Sequence, residues 1–295
     1  RRVRETAERL GYRPNRAGVR LRTGKTNVIA VTLSTVSDMS NPSQLIYSIA
    51  DALRGTAYHL VVTPFFPDQD PMDPIRYIVE TESADGVVLN QTTVDDPRVR
   101  YLSERGFPFV THGRTDMGID HPYFDFDNEA YARIGVRELH ARGRRSLLLI
   151  RPPAMHSYSV HMTTGFSGEA QALGLTCELM SDVTSDSPVE EIEAAVTARM
   201  QNGPRVDGIV TGSPTSAVAA VAGAEQAGQI IGQGFDIVSK EANYFLHRFR
   251  KEIIVVREDV SRAGGFLTRA LMAAIERRAP EQGQFLDRPD HIDLK

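Results

Sequence analysis

The sequence predicts an α/β chain of two doubly wound parallel-sheet lobes, preceded by a short basic segment. Three observations predict it. From Thr26 onward, short apolar runs alternate with stretches of helical period, the signature of βαβ units and a mainly parallel sheet. The alternation runs through twice, with the change near Asp127. Finally, the first 25 residues hold nine Lys/Arg against two acids, a net of +7 in a chain whose total is −4.

Within the basic segment, Val3, Ala7 and Leu10 follow helical spacing and Gly11 supplies a stop. Tyr12, Pro14 and Asn15 follow, then a second basic stretch from Arg16 to Arg22, then Thr23-Gly24-Lys25 as a tether. The predicted strands of the first lobe are residues 28–33, 59–63, 85–90, 107–111 and 123–126, with helices over 43–54, 74–82 and 98–105. In the second lobe the strands are 146–150, 176–180, 207–211, 235–238 and 252–257. Helices are predicted over 128–141, 160–173, 188–201, 215–227 and 262–278.

Composition narrows the function classes. At 295 residues and 41% hydrophobic, the chain can bury one large core or two linked ones. The single cysteine, Cys177, allows no disulfide and sits in an apolar–polar alternation that reads as structural. No apolar run approaches 18 residues. The expectation is a cytoplasmic protein with no membrane contact, no metal and no cofactor. There is no G-x-G-x-x-G after the first strand, no G-x-S-x-G, no Walker A and no H-E-x-x-H, so an enzyme is not expected.

In open α/β sheets ligands bind beyond the carboxyl ends of the strands. The loops there supply Asp38, Asn41, Asn90, His112, Arg114, Tyr158, Ser213 and Asp236 as candidate effector contacts. Gln91, Asp125, Asp127, Asn128, His156, His161, Arg257 and Glu258 lie on the same loops. Such hydroxyl, amide, carboxylate and guanidinium groups grip a polyol by paired hydrogen bonds, while aromatic faces stack on its C–H surface. Asp127-Asn128 reads equally as a helix cap, and Asn41-Pro42 as a turn and helix start.

The string LGYRPNRAGVRLRTGKTNVIAV, from Leu10, resembles the headpiece–hinge–core junction of LacI/GalR-type bacterial transcription regulators. Further resemblance lies in SADGVVLN (83–90), DFDNEAYARIGVREL (125–139), RGRRSLLLI (142–150), Gly234-Phe235-Asp236 and Val256-Arg257-Glu258-Asp259. It implies a periplasmic-binding-protein-like core, a homodimer and a DNA-binding regulator, here a repressor, whose operator affinity responds to a small effector. Residues 1–13 then correspond to the last helix of a truncated helix-turn-helix headpiece and 14–25 to hinge helix and linker. Residues 26–295 form the core, with lobes over about 26–126 plus a returning segment and about 127–257. Before Arg1, the resemblance implies that most of the headpiece is missing. In the hinge, Leu21 takes the place of the wedge that enters the minor groove. Asn15 and Arg16 begin the hinge helix, while Arg20 and Arg22 suit phosphates.

Departures from the family pattern bear on the ligand. Met162 stands where relatives carry a ligand-clamping Arg, and Gly212-Ser213-Pro214 where many have Ala-Asn-Asp. Losing that guanidinium favours a neutral sugar or glycoside over an anion. The competing reading is a solute-binding receptor of a sugar transporter with the same core; the Arg-rich junction argues against it.

Overall fold

The computed structural model describes residues 6, 9, 20, 24–34, 40–66, 68–242, 245–289 and 292–293; of 40, 41, 247, 292 and 293 it describes the backbone alone. Two six-stranded sheets form. The first contains β1 (Val28–Ser34), β2 (His59–Phe65), β3 (Gly86–Asn90), β4 (Phe109–His112), β5 (Tyr123–Phe126) and, returning late in the chain, β11 (Gln284–Asp287). Its order is β11-β5-β4-β3-β1-β2, parallel throughout. The second contains β6 (Ser146–Ile150), β7 (Thr176–Leu179), β8 (Gly208–Thr211), β9 (Asp236–Glu241), β10 (Ile254–Arg257) and β12 (Ile292–Asp293). Its order is β12-β10-β9-β8-β6-β7, with β12 antiparallel to β10.

Helices cover both faces of each sheet, as the alternation of apolar side chains requires. In β1, Ile29, Val31 and Leu33 point to one face, against α1 (Ser40–Ala52) and α9 (Val260–Ile275); Ala30 points to the other, with α2 (Met72–Glu80) and α3 (Pro97–Glu104). The second sheet is flanked by α4 (Asn128–Ala141) and α5 (Ser157–Ala172) on one face, and by α6 (Val189–Asn202) and α7 (Pro214–Gln226) on the other. A short α8 (Leu246–Phe249) precedes β10.

Caps set several helix starts. Asp96 accepts from the Arg98 amide, Asp127 from Ala130, and Asp259 from Ser261. Ser213 and Ser216 form a reciprocal capping box. Close helix approach depends on two glycines: a Cβ on Gly165 of α5 would lie 2.2 Å from the Glu129 carbonyl oxygen, and one on Gly264 of α9 2.5 Å from the Ile49 amide.

The chain passes between the lobes three times: from β5 to α4, from β10 to α9, and from β11 to β12. The first and third passages are tied by the Asp127 amide donating to the Asp287 carbonyl at 2.8 Å. The two-lobe parallel architecture expected from the sequence is what forms. Several element ends differ. Helix α5 begins at Ser157 instead of residue 160, which puts Tyr158 on a helix. Strand β9 runs to Glu241, three residues past the end of the apolar run, because its backbone stays paired with β10. Of the hinge candidates, Asn15, Arg16, Leu21 and Arg22 lie outside the described residues; Arg20 lies within them, and its guanidinium donates to the Thr81 carbonyl at 3.0 Å beside Glu82.

Candidate functional site

A cleft of about 760 Å³, part of it open to solvent, lies between the lobes where the strands of both sheets end. The first lobe contributes Asn90 at the end of β3 and Gln91 just after it, His112 at the end of β4, and Asp125 with Phe126 at the end of β5. The second contributes Asn128, Tyr158, Ser185, Asp186, Ser213 and Lys240; Glu258 comes from the second passage.

The β3–α3 loop is held rigidly. Arg98 and Asp96, both buried, share two side-chain hydrogen bonds of 2.9 and 2.7 Å, and Arg98 also donates to the Gln91 carbonyl at 3.0 Å. Burial alone would raise the Asp96 pKa; the adjoining guanidinium, together with the amides of Thr93 and Arg98, outweighs it and holds the carboxyl below its ordinary range. This ion pair fixes the backbone that presents Asn90 and Gln91.

His112 Nδ1 donates to Asn90 Oδ1 at 3.0 Å and its ring stacks on Phe124. Burial pushes its pKa below the usual histidine value, so the ring is neutral and Nε2 is left as an acceptor. Tyr158 stacks on His156, with ring centroids 5.0 Å apart and planes within 9°. Its burial drives the phenol pKa well up, keeping the hydroxyl protonated.

Three ionic groups are buried at the base of the cleft. Lys240 Nζ donates to Asn128 Oδ1 at 2.9 Å and lies 3.5 Å from Glu258 Oε2. Asp125 Oδ2 lies 3.4 Å from Arg114 Nε. Neither Asp125 Oδ2 nor Glu258 Oε2 receives a hydrogen bond among the described residues. Desolvation pushes the Asp125 pKa up to about 7, against the lowering pull of Arg114 and Lys240.

Of the residues expected at the site, the structure brings together Asn90, His112, Tyr158 and Ser213. Arg114 stands just behind, bonded from Nε to His161 Nε2 at 3.4 Å across the lobe boundary. Asp38 lies outside the described residues, and Asn41 is described only as backbone in α1.

Asp236 requires a correction. It opens β9 at the amino end of the sheet, is buried, and accepts from Arg144 Nε at 2.7 Å. Its letters matched a family motif, but the cleft is at the other end of the strand, where Lys240 stands. Met162 is packed in the apolar core beneath α5, away from the cleft lining. Sequence reasoning passed over Lys240 altogether, since Ser-Lys-Glu broke the apolar run by which β9 was read. Among the described residues no cluster fit for a metal ion occurs, and no helix is long and apolar enough to cross a membrane.

Residues 36–245 match the family model of periplasmic binding proteins and the sugar-binding domain of the LacI family. The HTH-type transcriptional regulator RafR of Escherichia coli is 32% identical over 61% of this chain and 54% of its own length, so the match spans about half of that relative. AglR of Rhizobium meliloti (strain 1021), another HTH-type transcriptional regulator, is 24% identical over 95% of this chain and 81% of its own. Among solved structures, a LacI-family regulatory protein from Chloroflexus aggregans superposes with a TM-score of 0.77 at 25% identity, covering 89% of this chain and 95% of that one. The transcriptional regulator CelR in complex with cellobiose gives 0.79 at 20% identity, covering 99% and 88%.

Proposed function

This chain belongs to the family of periplasmic binding proteins and LacI-type sugar-binding domains, and on that footing we propose that it is the sensing part of a DNA-binding transcription regulator. The reading makes it a repressor. A neutral sugar or glycoside enters the cleft, the lobes reorient, and operator affinity falls. Its relatives named above are transcriptional regulators, not enzymes.

One observation carries the ligand class. Asp125 and Glu258 both line the cleft, and each keeps a buried carboxylate oxygen without a hydrogen-bond donor. An unmet buried acceptor costs about 1–3 kcal/mol, more when charged, and ligand hydroxyls remove that cost. A phosphate or carboxylate would bring further acceptors and further negative charge to the same oxygens. With Asn90, Gln91, the neutral His112 ring and the Tyr158 face alongside, the lining suits a polyol with an apolar C–H surface.

The rest of the proposal follows the sequence. Residues 1–13 serve as the end of a headpiece and 14–25 as hinge, with Asn15, Arg16, Arg20, Leu21 and Arg22 toward operator DNA; 26–295 form the sensing core of a cytoplasmic homodimer. The excess of positive charge before Thr26 supports DNA over the solute-receptor alternative. Calorimetric titration with cellobiose, maltose and glucose 6-phosphate tests the cleft. Binding of a neutral saccharide without binding of the phosphate is expected; preference for the phosphate would overturn the reading.

A further inference from the structure

Lys240 occupies an unusual place. Its ammonium is buried in the cleft wall, yet its partners lie on two different passages between the lobes. On the first passage it bonds Asn128, whose own amide nitrogen donates to the Phe126 carbonyl at 3.0 Å. On the second it faces Glu258, whose amide donates to the carbonyl of Glu241, the residue after Lys240, at 3.0 Å. The ammonium also lies 5.4 Å from the Phe126 ring centroid and 5.7 Å from that of Tyr158.

The pairing with Glu258 is loose. At 3.5 Å it is an ion pair without a hydrogen bond, and Glu258 Oε2 stays unmet. Burying an ammonium is unfavourable unless good geometry offsets the lost hydration, and a pair serving packing alone gains most by closing to bonding distance. An ammonium has three donors. Among the described residues Asn128 takes one and Glu258 attracts a second, which leaves donor capacity at the surface of the cleft.

We propose that Lys240 is a positioning residue that ties the first and second inter-lobe passages to the cleft wall, so that effector hydroxyls bridging its ammonium and Glu258 set how the lobes sit. The sensing site and the hinge then share one group. A ligand bonded there replaces the loose contact by two short bonds and draws Glu258, and with it the start of α9, toward Asn128. The ligand half of this inference rests on the cleft being an effector site; the tie between the passages does not.

Amide hydrogen exchange on the full chain tests it. Lys240→Met alone strands the Glu258 charge, so the decisive variant is Lys240→Met with Glu258→Gln, which removes both charges and keeps the side-chain volumes. Without ligand, exchange at Asp127 and Glu258 is expected to quicken by at least about tenfold, the factor set by one charge-assisted hydrogen bond. Val88 and Ile209, at the sheet centres, serve as references and should not move. Saturating cellobiose or maltose should slow exchange at both passages in the parent protein and not in the variant. Unchanged passages, or equal quickening at the references, overturn the proposal. If neither saccharide binds the parent protein, the effector reading fails, and the ligand-free exchange alone decides whether Lys240 ties the passages.

Discussion

Arg144 Nε donates to Asp236 Oδ2 at 2.7 Å, and the pair closes the amino end of β9. The same guanidinium reaches the Gln233 carbonyl at 3.0 Å, binding the loop before the strand to the start of β6. Removing one partner leaves a charge with most of its surface buried. Asp236→Ala is therefore expected to lower stability by about 3 kcal/mol, at the lower end for broken buried pairs because Arg144 is partly solvated. Effector affinity at a temperature where the variant is folded should not change. Melting temperature and calorimetric affinity on the same variant check both halves; lost affinity with intact stability would return Asp236 to the cleft.

The contrast between Asp236 and Lys240 shows what was legible in the sequence. Apolar runs reported the strand centres, and the rule that ligands sit at carboxyl ends located Asn90, His112, Tyr158 and Ser213. Runs do not report strand ends. Val238 closes the apolar part of β9, but Lys240 pairs in register with Val256 of β10, so the strand continues through polar residues into the cleft. A motif match at Gly234-Phe235-Asp236 therefore landed at the wrong end. Burial of Lys240 depends on Asn128 and Glu258, which are distant in sequence, and no local pattern encodes that meeting.

Helix α7 shows a second limit. Its Ala and Gly residues suit close packing against any neighbour, within the chain or outside it. They are spent internally against α6, where a Cβ on Gly223 would come within 2.4 Å of the Glu193 carbonyl oxygen. Small side chains mark close approach in general, and composition does not say to what.

Asp125 gives a pH dependence whose sign is fixed. Its pKa is raised to about 7 in the folded protein, so the folded state binds the proton more strongly than the unfolded chain. The stability this proton confers is present below the ordinary carboxylate pKa, near 4, and is lost as pH rises to about 7. Asp125→Asn removes the titration. Relative to the parent protein, the variant is expected to gain stability between pH 5 and pH 8, on the order of a few kcal/mol. Chemical denaturation at the two pH values checks it; a pH-independent difference would show that Asp125 is ionised throughout.

The edge of the first lobe supports the proposed homodimer. Tyr47 on α1 and Tyr77 on α2 are 75% and 62% exposed, and Val61 and Val62 of the edge strand β2 lie open between those helices. Exposed aromatic anchors of this kind contribute on the order of 2 kcal/mol each to an interface. Tyr47→Lys with Tyr77→Lys is expected to weaken self-association by at least about a hundredfold. Sedimentation velocity at micromolar concentration should give a dimer for the parent chain and a monomer for the variant. A dimer in both would place the interface elsewhere.

The Asn90–His112 hydrogen bond makes the last prediction. Asn90 Oδ1 accepts from His112 Nδ1, which fixes the neutral ring with Nε2 as the acceptor in the cleft. Asn90→Ala removes a cleft amide and frees the ring to adopt the other tautomer, so two polar contacts to the effector suffer together. Loss of one to two neutral hydrogen bonds corresponds to about tenfold in affinity. Asn90→Asp acts differently. Its carboxylate still accepts from Nδ1 but also favours the imidazolium, which raises the His112 pKa toward and past its ordinary value. Effector affinity of this variant should then fall as pH drops through that raised pKa, because protonated Nε2 no longer accepts from a hydroxyl. In the parent protein, where burial keeps the ring neutral, the same pH range should leave the His112 contribution unchanged. Titrations at pH 8 and pH 6 on both proteins, with the His112 ring followed by NMR, separate the cases. Equal pH dependence in the two would show that the Asn90 contact does not set the protonation of His112.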